Sequence, residues 1–325
     1  MKILWTHNFD PKALNSGCFL NAIYTKLKLQ GVDVDMFYLG NLRNPFNVLF
    51  KVLELRTLSK KYDLVHSQYG SICAFVTSFV AKPKLLSIRG NDWTVHSARV
   101  NWLFLHTRFA RFLTIISINR YDGVLPVSNR LRKEITKIYR REVPLIFPSP
   151  IDLAIWKERA PNETNQNHTY RILFVSLNKS NPIKRFSVAQ QAIDILKKRI
   201  PNVELSLASG IPFCNMPDFV AAHDVILSLS ESEGWPNSVK EALACNVPFV
   251  ATDVSDLKEI VEVEYSCMLT TGEPHDVAEK LFVALSQKKP KNLRKYVESM
   301  DVSASASRLL TYYDKVLKAR EKYHK

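Results

Sequence analysis

Two carboxylates with seven residues between them, Glu233 and Glu241, flank a glycine, a tryptophan and a proline in the stretch SESEGWPNSVKEALACN at 230–246. Carboxylates repel phosphate but accept well from sugar hydroxyls. The apolar run DVILSLS before them reads as a buried strand and SVKEALACN as the following helix. Glu233 then sits in the loop at a strand's carboxyl end and Glu241 in the first helical turn. Amides at that helix start, with the positive end of its dipole, suit a phosphate, and Gly234 lets the backbone approach closely. Upstream, Lys184 and Arg185 open another helix, where cations are unfavourable unless an anion lies against them. The chemistry implied is recognition of a sugar nucleotide. Its diphosphate would lie on cations and helix amides, with one Glu on the ribose diol and one on the sugar.

Each residue has a plainer reading. Ser238-Val239-Lys240-Glu241 is also an S-x-x-E capping box, in which the glutamate satisfies its own helix. Asp33-Val34-Asp35 has the form of a D-x-D metal motif, but its alternation in VDVDMFYL fits strand residues facing one side, so no metal is expected. His66 ends a strand, as a ligand or as a satisfied buried side chain. Gly17, after Asn15-Ser16, is a phosphate contact or simply the turn into the first helix.

The elements that must position these groups alternate along the chain. In the first half KILWTHNF, VDVDMFYL, DLVHSQ, KLLSIRG, GVLPVS and VPLIF read as strands. Helical stretches lie between them, including a long one near 93–118. After PSPID comes the polar stretch KERAPNETNQNHTY, a linker. Alternation resumes with RILFVSL, FSVAQQAIDILKKR, VELSLAS, DVILSLS, SVKEALACN and PFVATDV. This α/β pattern predicts two doubly wound parallel sheets, with ligands at the carboxyl ends of their strands in the cleft between them. The expected boundaries are a first domain over 1–150, a linker over 151–169, a second domain over 170–300 and a C-terminal helix over 301–325 that can cross back to the first domain.

Composition separates the two halves. Residues 1–150 carry 22 Lys and Arg against 9 Asp and Glu, whereas 151–325 carry 23 against 22, so the net charge of +14 resides almost wholly in the first half. Such one-sided charge points to a polyanionic partner: nucleic acid, an anionic membrane face or a phosphorylated lipid. A solvated surface is the plain alternative. The stretch 101–120 interleaves Trp102, Phe104, Phe109 and Phe112 with Arg108, Arg111 and Arg120, which suits a membrane surface as well as a core helix. No RNP motif or zinc finger is present, and carboxylates at 231–241 would repel a nucleic acid. Five cysteines without a C-x-x-C spacing, and an N-terminus too polar for a leader, predict a reduced, cytoplasmic protein, at the inner membrane face if it binds membrane.

The residues also resemble a family. EGWPNSVKEALACNVPFVATDVSDLKEIV is similar to the E-x7-E signature region of the retaining glycosyltransferases of family 4, which have two Rossmann-like domains of the GT-B type. Weaker echoes are NSGCFLNAIYTKLKLQGVDVDMF, LVHSQYG, SIRGND, VLPVSNRLRKEI, IFPSPIDLAIW and LFVSLNKSNPIKRF. The resemblance implies that Glu241 binds the ribose hydroxyls, Glu233 the donor sugar and Lys184 the diphosphate. Gly234, Trp235, Asn237, Ser238 and Gly17 would complete the donor site. Where many members carry an early arginine, Lys179 is the nearby substitute, and Arg185 or Lys179 would join Lys184 at the diphosphate; where many carry histidine before the acceptor-side glycine, this chain has Arg89. The resemblance further implies a hexosyl transfer with retention, without a metal or other cofactor. The acceptor hydroxyl of a lipid-linked glycan in cell-surface polysaccharide synthesis would be met by Arg89 and His66 and contacted or deprotonated by Asp92. A sugar-nucleotide epimerase or hydrolase of the same fold, a non-catalytic partner subunit and a basic nucleic-acid-binding protein remain the alternatives.

Overall fold

A computed structural model describes residues 1–10, 17–42, 44–95, 101–158, 168–176, 178–287, 290 and 292–323. The chain divides into two compact units, 1–150 with 302–325, and 151–301. In the first, strands alternate with helices in the order β1 (Lys2–His7), α1 (Cys18–Leu29), β2 (Asp33–Tyr38), α2 (Pro45–Leu58), β3 (Leu64–Ser67), α3 (Ser71–Thr77), β4 (Lys84–Ile88), α4 (Asn101–Ile118), β5 (Gly123–Pro126) and α5 (Asn129–Ile135). The five strands are parallel in the order β2-β1-β3-β4-β5. The second unit runs β6 (Tyr170–Val175), α6 (Phe186–Leu196), β7 (Val203–Ala208), α7 (Met216–Ala221), β8 (Val225–Ser228), α8 (Asn237–Ala244), β9 (Phe249–Thr252), α9 (Leu257–Val261), β10 (Met268–Thr270) and α10 (Pro274–Ser286). Its parallel order is β10-β9-β8-β6-β7.

Local chemistry explains several boundaries. Asn44 caps α2 by accepting from the Phe46 amide at 2.9 Å, and Pro45 supplies a first-turn residue whose missing N–H costs nothing there. Of the long helix expected near 93–118, residues 101–118 form α4 and 93–95 are not helical, while 96–100 lie outside the described residues. Asp33 and Asp35 project from edge strand β2 toward Lys2 and Lys28 at 3.8 and 3.6 Å, and Tyr62 donates to Asp35 at 2.8 Å. They are strand residues with cationic partners.

Strands buried on both faces need a helical layer on each side. In the first unit α1 packs with the C-terminal helix α11 (Val302–Tyr323) on one core of Ile3, Trp5, Ile23, Leu309 and Tyr313; α2 and α3 cover a second core of Leu4, Leu55, Val65 and Val76. The C-terminal helix therefore returns to the first unit. Residues 151–158, read from sequence as connecting chain, are packed onto the second unit. Ile151 bonds to the Met300 carbonyl, and Arg294 donates to the carbonyls of Leu153 and Trp156. The remaining linker residues 159–167 lie outside the described residues. In the second unit Ile172, Phe174, Ala189, Val225, Leu227 and Leu281 form the core beneath β8, whose carboxyl end carries the glutamate loop.

Candidate functional site

The loop after β8 is braced from both sides before any side chain is considered. The Glu231 amide donates to the Ile183 carbonyl at 3.0 Å, tying it to the loop after β6. From the segment after β9, Thr252 Oγ1 donates to the Ser230 carbonyl and Ser255 Oγ to the Gly234 carbonyl, each at 2.6 Å. The β6–α6 loop is itself set by Asx turns, with Asn178 Oδ1 accepting from Ser180 and Asn181 Oδ1 from Ile183. Lys184 is held next in line, its amide on the Asn181 carbonyl.

This bracing brings together two residues separated by 49 positions. Lys184 Nζ donates to Glu233 Oε1 at 2.5 Å, with the two side chains 29% and 20% exposed. The cation expected at a diphosphate and the acid expected at a sugar thus neutralise each other in the ligand-free chain. Because both remain in reach of water, the pair contributes little to stability, about 0–1 kcal/mol.

Glu241 behaves differently. It sits on α8, closely surrounded by protein yet still touching solvent, and burial pushes its carboxyl up to about 7 while the adjacent Lys240 charge pulls it down. No hydrogen bond reaches its carboxylate among the described residues. The capping box does not form: the cap position of α8 is Pro236, no side chain caps the helix, and Ser238 already lies in its first turn. Trp235 and Asn237 are turned to another task. Asn237 Oδ1 accepts from Lys240 Nζ at 3.0 Å and the ammonium lies 5.9 Å from the Trp235 ring centroid, so together they hold a buried lysine behind the glutamate.

Arg185 is placed otherwise than the sequence suggested. It occupies the left-handed region at the cap of α6 (φ 57°), and its Nη2 donates to the Gly272 carbonyl at 3.1 Å. Gly272 has φ 82°, where side chains are strained, and a Cβ there would displace the guanidinium from its present position. The guanidinium clamps the turn after β10, although its buried Nε has no partner. That turn is fixed by Asp276, which accepts from Thr270 Oγ1 at 2.6 Å and the Thr271 amide at 2.7 Å. Burial works to raise the Asp276 carboxyl, but these donors outweigh it and hold it below its ordinary value. Lys179 is exposed, 6.0 Å from the Phe186 ring centroid.

The corresponding loops of the first unit hold the residues expected on the acceptor side, and here Asp92, His66 and Arg89 are engaged internally, although the buried His7 Nδ1 and Gln68 Nε2 have no partner. Asp92 is 0% exposed; it accepts from the amides of Gly70 and Gly90 at 2.7 Å each and of Arg89 at 3.0 Å. In this structure the carboxylate is a brace between two loops, the role that competes with the catalytic expectation. Gly70 is obligatory, because a Cβ would lie 2.8 Å from Asp92 and Thr114 atoms. His66 is also fully buried. Trp5 Nε1 donates to the Tyr313 hydroxyl at 2.9 Å, that hydroxyl lies 2.6 Å from His66 Nδ1, and His66 Nε2 lies 2.9 Å from Ser87 Oγ. Burial, helped by the Arg89 charge, holds the imidazole neutral, its pKa well below the usual value. His66 is therefore the satisfied core histidine of the two readings, and it pins α11 to the sheet. Arg89 donates to the Gln68 carbonyl, Gln68 Oε1 and Ser149 Oγ and lies 4.6 Å over the Phe19 ring. Burial lowers its pKa to about 10, against the pull of Asp92, leaving it cationic at neutral pH. Gly17 has φ 70° at the cap of α1, a conformation in which side chains are strained; the loop before it, 11–16, lies outside the described residues.

Several contributors were not anticipated. Thr252 and Ser255 shape the glutamate loop, and Ser230 Oγ is buried beside it without a partner. Their only sequence signal is the hydroxyl-rich character of SLSES and TDVSD.

Comparison with known proteins shows what the chain is similar to. Residues 211–287, which include both glutamates but not Lys184, match the family described as Glycosyl transferases group 1. An uncharacterized glycosyltransferase of Methanocaldococcus jannaschii is 22% identical over 69% of this chain and 65% of its own length. Bacillus subtilis TuaC, assigned to teichuronic acid biosynthesis, is 24% identical over 61% of this chain and 55% of its own. The chain thus spans under two thirds of the length of the curated relatives it matches. Among solved structures, sucrose-phosphate synthase from Thermosynechococcus elongatus superposes with a TM-score of 0.75 at 14% identity, covering 98% of this chain and all of that one. Anabaena HepE in complex with UDP and glucose gives 0.69 at 16%, covering 97% and 99%. The fold is that of GT-B glycosyltransferases, two parallel-sheet Rossmann-like units.

Proposed function

We propose that the chain transfers a sugar, a hexose, from a nucleoside-diphosphate sugar to an acceptor hydroxyl. The observation that carries this reading is the meeting of Lys184 and Glu233, with Glu233 and the donorless Glu241 both in a segment that matches group 1 glycosyltransferases. When a donor binds, Lys184 exchanges Glu233 for the diphosphate, and the released carboxylate accepts from sugar hydroxyls. Glu241, once ionised, accepts from the ribose diol.

Departure of the nucleoside diphosphate builds negative charge on its oxygens while the anomeric carbon becomes cationic. Preorganised positive charge is what lowers that barrier. Lys184 and the uncapped first turn of α8 at Asn237 and Ser238 supply it in this reading, without a metal ion; Arg185, committed to Gly272, contributes at longer range. Retention, with the acceptor attacking from the face that the leaving group vacates, is supported by the resemblance of the E-x7-E segment to the retaining transferases of family 4. A lipid-linked glycan of a cell-surface polysaccharide as acceptor, at the inner face of the membrane, is supported by the basic first unit and by the similarity to TuaC. The UDP-bound relative HepE makes a uridine nucleotide the first donor to try.

The test is a panel of UDP-, GDP- and ADP-sugars read by melting temperature and by nucleoside-diphosphate release, with and without polyprenyl-diphosphate-linked acceptors. A donor at 100 times its Kd stabilises by about 2.7 kcal/mol, and release should require the acceptor. Release without acceptor would identify a hydrolase, altered sugar stereochemistry an epimerase, and binding without turnover a partner subunit. Salt-sensitive DNA binding with no nucleotide response would overturn the reading altogether.

A further inference from the structure

The outer surface of the first unit is unlike that of any other helical layer of the described chain. Right-handed crossovers toward β5 place α2, α3 and α4 on one face of the sheet, and α3 touches both α2 and α4. On α2 the inward positions are Val48, Val52 and Leu55, yet Phe46, Leu49, Phe50 and Leu53 are 80%, 59%, 64% and 55% exposed. Their spacing puts them on one outward stripe. On α4, Ala110, Leu113 and Thr114 face inward while Leu105, Phe109, Phe112 and Ile116 form a second exposed stripe. Phe104 is half-buried, and the Trp102 side chain lies outside the described residues. The opposite layer is ordinary: α11 shows water Ser303, Ser307, Thr311, Asp314, Lys315 and Lys318. Large exposed apolar side chains elsewhere in the described chain stand singly or in pairs, such as Val263 and Tyr265.

Charge on the striped layer is as one-sided as its apolarity. The segments 45–61, 71–77 and 101–118 contain Lys51, Arg56, Lys60, Lys61, Arg108 and Arg111 against a single acid, Glu54, which Lys51 neutralises at 2.8 Å. No helix among the described residues is long and apolar enough to cross a membrane. Two parallel apolar stripes edged by cations, on helices too short to span, have the make-up of an in-plane contact with a bilayer. A second copy of the chain is the weaker occupant, because a self-complementary interface would set these cations against one another.

We propose that the outer face of α2 and α4 is a docking surface for an anionic lipid bilayer, with Phe46, Leu49, Phe50 and Leu53 of α2 and Phe109 and Phe112 of α4 inserting at the headgroup boundary. This deepens the lipid-linked acceptor of the proposed function by naming the surface that brings the first unit to the membrane. It is tested without any donor, so each succeeds or fails separately.

The experiment is co-sedimentation of the full chain with vesicles of phosphatidylcholine containing roughly one-third phosphatidylglycerol, at about 10 mM ionic strength, where charges act over ~30 Å. The chain should bind these vesicles, bind pure phosphatidylcholine at least about tenfold less, and be released near 1 M salt, where screening shortens to ~3 Å. Phe46→Ser/Phe50→Ser and Phe109→Ser/Phe112→Ser should each reduce partitioning at least about tenfold, equivalent to about 1.4 kcal/mol, with unchanged melting temperatures. The control Val263→Ser/Tyr265→Ser in the second unit should bind normally. Failure to sediment at low salt overturns the proposal, as do face variants that bind like the parent. A concentration-dependent dimer abolished by the same variants, with no vesicle binding, assigns the face to a second copy instead.

Discussion

The loops at the strand ends of the two units are built from similar residues and use them in opposite ways. In the first unit Asp92 and His66 are fully buried and spend their polar atoms on Gly70, Arg89, Gly90, Tyr313 and Ser87. In the second unit Lys184 and Glu233 satisfy only each other within reach of water, Glu241 has a carboxylate without a donor, and Ser230 Oγ and Arg185 Nε are buried without partners. Buried polar atoms without partners occur in both units, His7 Nδ1 and Gln68 Nε2 in the first among them; what sets the second apart is a solvent-reachable cation and carboxylate paired only with each other and a second carboxylate without a donor.

Substitutions can break this contrast. Asp92→Ala strands three buried amides and should lower unfolding free energy by at least about 3 kcal/mol, at about 1–3 kcal/mol per unpaired donor, measured by urea titration. If Asp92→Ala instead left stability intact, the carboxylate would not be scaffold. Lys184→Ala should cost about 10²–10³ in turnover, about 3–4 kcal/mol of transition-state stabilisation, with stability changed by no more than about 1 kcal/mol. Tyr313→Phe removes the acceptor of Trp5 and the partner of His66 Nδ1, and a loss of about 1–3 kcal/mol in stability without a change in donor affinity should follow.

A smaller effect sharpens the comparison through pH. The Glu241 carboxyl is raised from 4.5 to about 7 in the folded chain. Its contribution to stability is therefore fully present below about pH 4.5 and is lost as pH rises through 7, so the ligand-free parent should lose melting temperature between pH 5 and 8 relative to Glu241→Gln. Donor binding should run the other way, because only the ionised carboxylate accepts both ribose hydroxyls. UDP affinity is expected to rise from pH 6 to 8, by at most about tenfold per unit, and to flatten in Glu241→Gln. An unchanged profile in that variant would remove Glu241 from the site.

The βα alternation was legible because each strand is a short apolar run bounded by turn residues, and the glutamate loop because its signature is local. What escaped is non-local. Nothing near Asp92 reveals that the Gly70 amide, 22 positions earlier, points at it, and nothing near His66 announces Tyr313, 247 positions later. The same limit hid the Lys184–Glu233 pair and the diversion of Arg185 to Gly272. The second apolar face of α2 escaped for another reason: in PFNVLFKVLELRTL apolar residues occur all round the helix, and sequence alone does not say which side the sheet covers.

The most direct test of the second-unit site is calorimetric titration of UDP, GDP and ADP into the parent chain, Lys184→Ala and Glu241→Gln. One nucleotide should bind the parent, and each substitution should weaken it at least about tenfold, while at neutral pH free Lys184→Ala melts close to the parent and free Glu241→Gln melts above it, the raised carboxyl having been removed. Absence of binding by all three, or binding that both variants retain undiminished, would contradict the account.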